Sequence, residues 1–236
     1  MNLIQAEFTG RALRTADVES FRFTTEEKIN FLPGQFLRLI FDEVDTGNRE
    51  LNKYLSFSCS PSRGYIEVTK RLSSSRFSER LKGLKQGDRV LIQAPLGNCT
   101  FNPEYVKIGF IVGGIGITPV ISIMESIVYN NLSTDAALFY SNKTEGDIAF
   151  KLELDSWSAQ KHSIKVFHAI TDCQPRDPDY HFGRIDRSFL ESRDPGIRER
   201  IIFIFGPPAM VQAIDTLCQE IGCSKSMLKR EAFIGY

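Results

Sequence analysis

Three glycines follow an apolar run in the second half of the chain at a spacing that can bind a phosphate. The run covers residues 106–112 and is typical of a β-strand, and Gly113, Gly114 and Gly116 come directly after it. A glycine-rich turn between a strand and a helix lets backbone amides and the positive end of the helix meet a pyrophosphate. On its own such a turn is equally common as a plain tight loop.

A helix is predicted immediately after this glycine turn (residues 113–116). Thr118 is a good N-cap residue, and Pro119 is favoured as the first helical residue. The chain is therefore expected to pass sharply from strand to helix here. That position between a strand and a helix favours phosphate binding over a plain loop.

Strands and helices continue to alternate after the glycine turn. Residues 136–142 and 163–171 are strand-like, and a helix is predicted to begin near Asp147 between them. A last strand and an amphipathic helix follow, with Pro208 as the helix opener and Gly222 as the C-cap. This alternation predicts a doubly wound α/β domain with a parallel sheet, and a ligand along the carboxyl ends of its strands.

The first half of the chain has a different pattern, with short β-type runs separated by turn residues. Near residue 66, apolar Ile66 and Val68 alternate with polar Glu67 and Thr69, which is the period of a strand with one buried face. Several such strands predict a closed antiparallel barrel with Greek-key connections, or a sandwich. One helix interrupts them, with Ser75 as a possible cap.

The change of pattern predicts two domains, an antiparallel β-barrel over residues 1–102 and an α/β domain over residues 103–236. Lysine plus arginine and aspartate plus glutamate each number 29, so no overall basic field would recruit nucleic acid. No apolar run approaches the ~20 residues that cross a bilayer, and the N-terminus lacks the pattern of a signal peptide. A cytoplasmic protein is expected.

Cysteine and histidine are arranged in a way that predicts no metal site. The five cysteines form no Cys-x-x-Cys pair, and no cluster of cysteine and histidine has metal-ligand spacing. Free thiols are therefore expected, without zinc or an iron-sulfur cluster in this chain. Only three histidines are present, which leaves little for histidine-centred catalysis.

Over nearly its whole length the sequence resembles the ferredoxin-NADP reductase superfamily, in which a flavin-binding barrel precedes a nicotinamide-binding domain. The order of the two predicted domains is the same, and the chain resembles a stand-alone reductase without an iron-sulfur domain. The glycine turn and the next three residues match the pyrophosphate loop of the family almost letter for letter. Besides the three glycines, this match implies cofactor contacts for Ile117, Thr118 and Pro119.

The flavin signature of the family, Arg-x-Tyr-Ser, is similar to Lys53-Tyr54-Leu55-Ser56. Lysine in place of arginine retains a cation for a flavin phosphate but loses the bidentate fork. Leu55 can cover the flavin ring without aromatic stacking. The resemblance implies that Ser56 donates a hydrogen bond to the hydride-accepting nitrogen of the flavin.

A second flavin motif of the family, Gly-x-x-Ser at a helix start, resembles the segment from Ser75 through Phe77 to Ser78, with serine in place of the glycine. Lys70, two residues after Val68, matches a position that lines the phosphate arm of the flavin. The residues implied to hold this arm are Lys53, Lys70, Phe77 and Ser78.

A third motif, Phe205-Gly206-Pro207-Pro208 with Met210, resembles a family loop beside the nicotinamide. That loop usually begins with cysteine, so Phe205 removes a thiol from the hydride-transfer region. The resemblance implies that Gly206 and the two prolines let the nicotinamide ring approach, and that Thr118 lies where both cofactors meet.

Four further positions concern the ends of the cofactors. The family resemblance implies that the terminal Tyr236 can shield the flavin, although a terminal residue is usually frayed. Asp179 resembles an acid that faces the adenosine ribose in NADH-using members, where a carboxylate would repel a 2′-phosphate; it could equally be a solvated loop residue. Ser141 and Asn142 follow the second strand of the α/β domain without the arginine that a 2′-phosphate needs, which favours NADH over NADPH.

The resemblance implies an enzyme that passes a hydride from NADH or NADPH to bound FAD, with FMN less expected. Electrons would then go to a protein acceptor such as a ferredoxin, a flavodoxin, a cytochrome or an oxygenase component. Two alternatives stay open. The chain could reduce free flavin as a substrate, or it could be a non-enzymatic flavin-binding subunit of a redox complex.

Overall fold

The computed structural model describes residues 3–233. Its contacts group them into two units. The first unit contains the chain up to Phe101 together with Thr118–Tyr129, and the second contains Asn102–Ile117 and the chain from Asn130 onward. The helix that follows the glycine turn thus packs with the first unit, although it lies far along the sequence from the rest of it.

The first unit is an antiparallel barrel, as its alternating pattern predicted. Its strands within the described range are β1 (Ile4–Leu13), β2 (Val18–Thr25), β3 (Phe36–Ile40), β4 (Asn52–Ser56), β5 (Ile66–Arg71) and β6 (Arg89–Leu96). They neighbour one another in the order β4-β3-β6-β1-β2-β5. An antiparallel bridge between Phe57 and Val68 joins the end of β4 to β5, and this contact brings the two edge strands together.

Aromatic side chains fill much of the barrel interior. Phe21 and Phe23 are completely or almost completely buried on alternate positions of β2, and the ring of Phe8 lies 5.7 Å from that of Phe23 in an edge-on arrangement. Phe31 stacks on Phe57 with ring centroids 3.8 Å apart. Edge-on and stacked aromatic pairs stabilise a core beyond their burial alone, which explains the use of phenylalanine here.

Helix α1 (Arg76–Gly83) lies between β5 and β6 in the chain. The Ser75 side chain accepts a hydrogen bond from the Ser78 backbone N–H, so the predicted cap is confirmed. Phe77 and Leu81 are fully buried, at the spacing of one helix face. The amphipathic pattern and the cap together fix where this helix begins.

The second unit contains a parallel sheet, which confirms the predicted fold class. Its strands in the described residues are β7 (Lys107–Gly113), β8 (Asp135–Asn142), β9 (Ile164–Ile170), β10 (His181–Phe182), β11 (Ile201–Gly206) and β12 (Leu228–Ala232). Their order is β10-β9-β8-β7-β11-β12, and every neighbouring pair is parallel. The order reverses beside β7, which makes the carboxyl end of β7 a topological switch point.

The helices of the second half are α2 (Ile117–Tyr129), α3 (Lys151–Gln160), α4 (Arg187–Arg193) and α5 (Pro208–Glu220). Helix α5 begins at Pro208 as predicted, and Gly222 adopts φ +92° just after its C-cap residue. None of the helices in the range 3–233 is long and apolar enough to cross a bilayer.

The predicted helix start near Asp147 is wrong. Residues Glu145–Asp147 form one 3₁₀ turn, and α3 begins only at Lys151. The Asp147 carboxylate accepts hydrogen bonds from both the backbone N–H and the hydroxyl of Thr144, so a capping box closes on this single turn. This capping box therefore closes a 3₁₀ turn, and α3 begins separately after it.

Arg200 is the buried cation of the second unit. It is 3% exposed, and its guanidinium donates to the Asp194 carboxylate, to the Ile108 carbonyl at 3.1 Å and to the Asp135 carboxylate at 3.0 Å. These bonds tie β7 and β8 to the segment before β11. A buried arginine with all of these partners holds three parts of the sheet in register.

We expect Arg200→Met to lower the free energy of unfolding by about 3–5 kcal/mol, because it leaves the Asp194 carboxylate buried without a cation. Urea unfolding followed by the fluorescence of Trp157, the single tryptophan of the chain, measures this. The matched control is Arg187→Met, which breaks an exposed pair with Glu191 and should cost less than about 1 kcal/mol. Equal losses in the two variants would contradict the expectation.

Candidate functional site

Strand β4 presents the predicted flavin signature in the first unit. Lys53 and Leu55 are half-buried, Tyr54 is 62% exposed and Ser56 is 7% exposed. The Tyr54 ring packs edge-on against Phe36, with centroids 5.7 Å apart. Alternation along the strand therefore places Lys53 and Leu55 on one face and Tyr54 on the other.

The Ser56 side chain is nearly buried and yet has an uncommitted hydroxyl. Within residues 3–233 this hydroxyl takes part in no hydrogen bond. A buried hydroxyl normally has a partner, so an available donor at this position fits a ligand that accepts a hydrogen bond. Its predicted bond to the flavin stays a prediction.

Lys70 on β5 is a neighbour of Lys53. Burial, and after it the positive charge of Lys53, lowers the pKa of Lys70. Neither ammonium group has an acidic partner in the described part of the chain, and Lys70 is half-buried. Two adjacent cations without a carboxylate disfavour each other's charge, and an anion bound between them would relieve this repulsion.

The start of α1 is only partly available to a ligand. Phe77 is fully buried with its ring 5.3 Å from that of Phe41, so its side chain lies in the barrel core and only its backbone amide is left for a phosphate. The Ser78 hydroxyl is also fully buried and is bonded to the hydroxyls of Ser75, at 3.0 Å, and Ser73. Contacts to a phosphate arm would therefore come from backbone N–H groups at the helix start.

Val68, which the sequence placed among the cofactor contacts, is completely buried in the barrel core. It faces Phe57 in the bridge at the end of β4. Its part in the site is to hold β5 against the residues that follow Ser56.

In the second unit, the glycine turn forms a 3₁₀ turn over Gly114–Gly116 at the carboxyl end of β7. Gly114 has φ +52°, a backbone conformation that residues with a side chain rarely adopt. Its carbonyl accepts a hydrogen bond from the Tyr140 hydroxyl at 3.1 Å. The turn is thus fixed in a conformation that requires glycine.

The prediction that Thr118 caps the following helix is wrong. Helix α2 begins at Ile117, and the Ile117 N–H already donates to the carbonyls of Gly114 and Ile115. The 3₁₀ turn leads directly into the helix, so no separate cap residue is needed. Ile117, Thr118 and Pro119 are all buried.

Gly116 lies against the backbone at the end of β11. A Cβ at this position would overlap the Phe205 carbonyl group, and would lie 3.1 Å from the Gly206 Cα. Because the obstacle is backbone, it cannot rotate away. This packing gives Gly116 a reason to be glycine that is independent of its conformation.

The Met210 side chain lies against both the glycine turn and the loop after β11. A Cβ on Gly113 or on Gly206 would meet the Met210 sulfur, at 3.2 Å for Gly206. Pro207 and Pro208 are exposed beside it. The structure therefore assembles these predicted residues at one point of the second unit.

Phe205 itself is completely buried. Its ring lies between Phe203 and Phe233, with centroids 6.1 and 6.4 Å away. Its side chain belongs to the core of the sheet, and its effect on hydride transfer stays a prediction. Tyr236, the other predicted aromatic, lies outside the described residues.

Asn142 at the carboxyl end of β8 is 5% exposed, and neither its Oδ1 nor its Nδ2 has a hydrogen-bond partner within residues 3–233. An amide buried in this way is costly unless a ligand or water satisfies it. Ser141 beside it is half-buried, and Asp179 is exposed in its loop. The buried amide of Asn142, without a partner in the described residues, therefore favours a ligand contact at this residue. The exposure of Asp179 is that of a solvated loop residue.

An acid at this same edge was missed by the sequence analysis. Asp172 follows β9, and its backbone N–H donates to the Lys143 carbonyl at 2.9 Å, while the Thr171 N–H donates to the Asn142 carbonyl at 3.0 Å. These bonds hold the residues after β8 and β9 side by side. The signal in the sequence was an acid directly after a predicted strand.

Glu231 on β12 is a second residue that the sequence did not single out as a site. It pairs with Phe205 in the parallel ladder, and burial raises the pKa of its carboxyl group to about 7. No cation among the described residues pairs with it. Nothing in the sequence marks an acid at this position as different from its exposed neighbours.

In the range 3–233 no group of three or more histidine, cysteine, aspartate and glutamate side chains is placed to hold a metal ion.

Comparison with known families matches most of the chain. Residues 5–101 match the oxidoreductase FAD-binding domain, and residues 110–216 match the oxidoreductase NAD-binding domain. Residues 102–109 lie between the two matches. The barrel thus corresponds to an FAD-binding domain, and the parallel sheet to an NAD-binding domain.

Two relatives are both named NADH-cytochrome b5 reductases. NADH-cytochrome b5 reductase 2 of Meyerozyma guilliermondii is 34% identical over 173 residues, which is 71% of this chain and 58% of the relative. NADH-cytochrome b5 reductase 1 of Dictyostelium discoideum is 29% identical over 214 residues, or 87% of this chain and 73% of the relative. The chain therefore spans only 58% of the length of the first of these relatives.

Solved structures show the same fold at low identity. The FAD/NAD-binding domain of the nitric oxide dioxygenase of Vibrio cholerae superposes with a TM-score of 0.84 at 18% identity, and each chain is covered to 98%. A ferredoxin NADP+ reductase from Neisseria gonorrhoeae, with FAD and NADP bound, gives a TM-score of 0.78 at 19% identity, with 98% of this chain and 99% of that chain covered. At this identity the similarity establishes the fold.

We expect Glu231→Gln to stabilise the protein at alkaline pH. Because the folded pKa lies above the ordinary 4.5, the fold favours the neutral carboxyl, and this stability is lost as pH rises from about 4.5 to about 7. Glutamine stays neutral, so the gain should be about 1–2 kcal/mol at pH 8 and much smaller at pH 5. Urea unfolding at both pH values measures it, with the exposed Glu220→Gln as control. A gain independent of pH would contradict the assignment.

Gly116→Ala should distort the glycine turn, because the new methyl group meets the Phe205 carbonyl. We expect NADH affinity to fall at least about tenfold, as backbone amides move away from the pyrophosphate. Gly146→Ala is the matched control, since its Cβ would approach nothing closer than 3.7 Å. Calorimetric titration with NADH compares the two, and unchanged binding by Gly116→Ala would refute the predicted role of the turn.

Proposed function

This chain belongs to the ferredoxin-NADP reductase superfamily, and from that premise we propose that it is an enzyme that transfers a hydride from NADH to bound FAD and then passes electrons to a protein acceptor. The FAD-binding domain covers residues 5–101 and the NAD-binding domain residues 110–216. In such enzymes the cofactors supply the redox chemistry, and the protein supplies binding, orientation and electrostatics.

The observation that carries the proposal is the pair formed by Lys53 and Lys70. The two lysines lie close enough for the charge of one to lower the pKa of the other, and no acidic side chain in the described range pairs with them. A flavin phosphate is the anion that this arrangement fits, since Lys53 lies on β4 together with Ser56 and Leu55, and Lys70 lies on β5. An FMN phosphate would fit the lysines as well, and the family match to an FAD-binding domain favours FAD.

The residues of the first unit would orient the flavin without reacting themselves. The available Ser56 hydroxyl would donate to the ring nitrogen that accepts the hydride, and Leu55 would cover one ring face. Tyr54 is exposed on the face of β4 opposite to Lys53 and Leu55, and its predicted cofactor contact stays a prediction. A hydride moves as a unit with its electron pair, so this step needs no general acid or base.

The residues of the second unit would bind the dinucleotide. The Gly114–Gly116 turn would hold the pyrophosphate through backbone amides, and the amide group of Asn142 would be satisfied by a polar group of the nucleotide. Met210 and Gly206 would border the nicotinamide. With its pKa raised to about 7, Glu231 would be about half neutral near pH 7, which would reduce its repulsion of a cofactor with phosphates.

We propose NADH as the donor on charge grounds. Asp172 follows β9 at the edge where Asn142 ends β8, and a carboxylate repels the dianionic 2′-phosphate that distinguishes NADPH. Asp179 would add to this if its loop approached the ribose. The names of the relatives, NADH-cytochrome b5 reductases, support the same donor.

The same relatives support a cytochrome as the acceptor, and a cytochrome of the b5 type is the first to test. A ferredoxin, a flavodoxin and an oxygenase component are the other acceptors that the family resemblance allows. Reduction of free flavin as a substrate is disfavoured, because the chain retains the lysine pair that would retain a phosphate arm. A non-enzymatic flavin-binding subunit would bind flavin but would not be reduced.

The test is the absorption spectrum of the purified protein, followed by anaerobic titration with NADH and NADPH. We expect yellow protein with one FAD per chain, bleached by NADH at lower concentration than by NADPH. Lys70→Met should weaken FAD binding about tenfold or more, because a charge-assisted contact is lost. Lys85→Met, an exposed lysine of the same unit, is the matched control.

Each alternative gives a different result in this experiment. Colourless protein that oxidises NADH only with added flavin would replace the proposal with a free-flavin reductase. Yellow protein that neither nucleotide bleaches would indicate a binding subunit. Equal FAD affinity in Lys70→Met and the control would show that the lysine pair does not bind the flavin phosphate.

A further inference from the structure

One face of helix α2 carries a polar stripe at helical spacing. Ser122, Glu125, Ser126 and Tyr129 follow one another at intervals that place them on the same side of the helix. This stripe meets the barrel segment 59–63, and helix and segment both belong to the first unit. The remaining residues of α2 are mostly apolar and buried, so the stripe is a polar contact in an otherwise apolar helix.

Glu125 makes the charged contacts of the stripe. Its Oε2 accepts from the Ser60 backbone N–H at 2.5 Å, and its Oε1 accepts from two guanidinium nitrogens of Arg63 at 3.0 and 2.6 Å. Hydrogen bonding to this carboxylate raises the pKa of Arg63. The Glu125 side chain is 13% exposed, so these bonds are partly shielded from water.

Two serines complete the contact. The Ser122 hydroxyl donates to the Cys59 carbonyl at 2.7 Å, and the Ser126 hydroxyl donates to the Ser60 hydroxyl at 3.1 Å, with both bonds buried. We call the set of Cys59, Ser60, Arg63, Ser122, Glu125 and Ser126 the α2 clamp. The Arg63 guanidinium also lies 5.5 Å from the Tyr129 ring centroid.

The clamp lies between two predicted site residues of the same unit. Segment 59–63 starts three positions after Ser56, and α2 begins at Ile117, immediately before Thr118. Ser56 is predicted to bond the flavin, and Thr118 is predicted to lie where both cofactors meet. The clamp therefore connects the segment that carries one to the helix that carries the other.

Apolar packing alone would leave the helix free to slide or rotate by a fraction of a turn. Hydrogen bonds are directional, and bonds between ionised groups more strongly so. Five polar bonds from Ser122, Glu125 and Ser126, over little more than one turn of α2, fix both its rotation and its translation against the barrel. A displacement of about 1 Å between reacting groups can lower a rate by about a hundredfold.

We propose that Glu125 is a positioning residue for hydride transfer, acting through the α2 clamp to fix Thr118 relative to Ser56. The inference rests on the proposed function. Glu125 would touch neither cofactor, so its loss should change the rate of the step more than the binding of either partner.

The experiment is anaerobic stopped-flow reduction of the FAD-loaded protein across a range of NADH concentrations, which separates the limiting rate from the NADH dissociation constant. Glu125→Ala should lower the limiting rate about tenfold or more, with the NADH dissociation constant changed by less than about threefold. Glu125→Gln keeps an acceptor for the Ser60 N–H and should recover part of the rate. Asp17→Asn, which breaks the Arg71 ion pair elsewhere on the barrel, is the matched control and should react like the wild type.

A lower melting temperature in Glu125→Ala with an unchanged limiting rate would show that the α2 clamp contributes to stability and not to the rate of hydride transfer. That result would overturn the proposal. Should Glu125→Ala fail to retain FAD, Glu125→Gln and Ser122→Ala decide by the same criterion. Wild-type protein that NADH does not reduce would overturn the proposed function, and this inference with it. A normally reduced wild type with unaffected clamp variants would overturn this inference alone.

Discussion

Phosphate groups need cations and backbone amides that the rest of the chain has not already engaged, and both units are arranged to leave such groups available. In the first unit, Lys53 and Lys70 stand together without a carboxylate, at the cost of a lowered pKa for Lys70. In the second, Gly114 adopts a positive φ in the Gly114–Gly116 turn, and Gly116 has no side chain because the Phe205 carbonyl lies against it. Neither arrangement is the most stable one for an isolated polypeptide, which is typical of binding sites.

Much of the fold could be predicted from the sequence, because the pattern of buried residues and the local backbone preferences favour the same secondary structure there. The alternation near Val68 predicted a strand, the proline at 208 opened a helix, and Gly222 followed its end. Errors arose where two local signals competed. Thr118 is a good capping residue, but a 3₁₀ turn already leads into helix α2, and the helix start expected near Asp147 is a single 3₁₀ turn with its own capping box. Sequence propensity does not distinguish these outcomes.

The site could be predicted only in part, and the reason is physical. Glycines, prolines and lysines in a motif can be recognised in a sequence, because the property that each contributes follows directly from its residue type. Glu231 and Glu125 look like ordinary surface acids, and only tertiary contacts separate them: Glu231 is half-buried without a cation in the described part of the chain, whereas Glu125 accepts three hydrogen bonds. Such contacts join residues more than sixty positions apart, as between Glu125 and Ser60, and no local pattern records them.

Because helix α2 packs with the barrel, the first unit consists of two separate segments of the sequence. A cut at Phe101, which the sequence boundary invites, would separate the barrel from Ser122 and Glu125 and leave the Cys59 carbonyl without its donor. Exchange of modules between related reductases would therefore have to move the helix together with a barrel that matches it. Recombination at residue 101 would join the barrel of one protein to helix α2 of another. The hydrogen bonds between that helix and the barrel would then depend on residues from two different proteins.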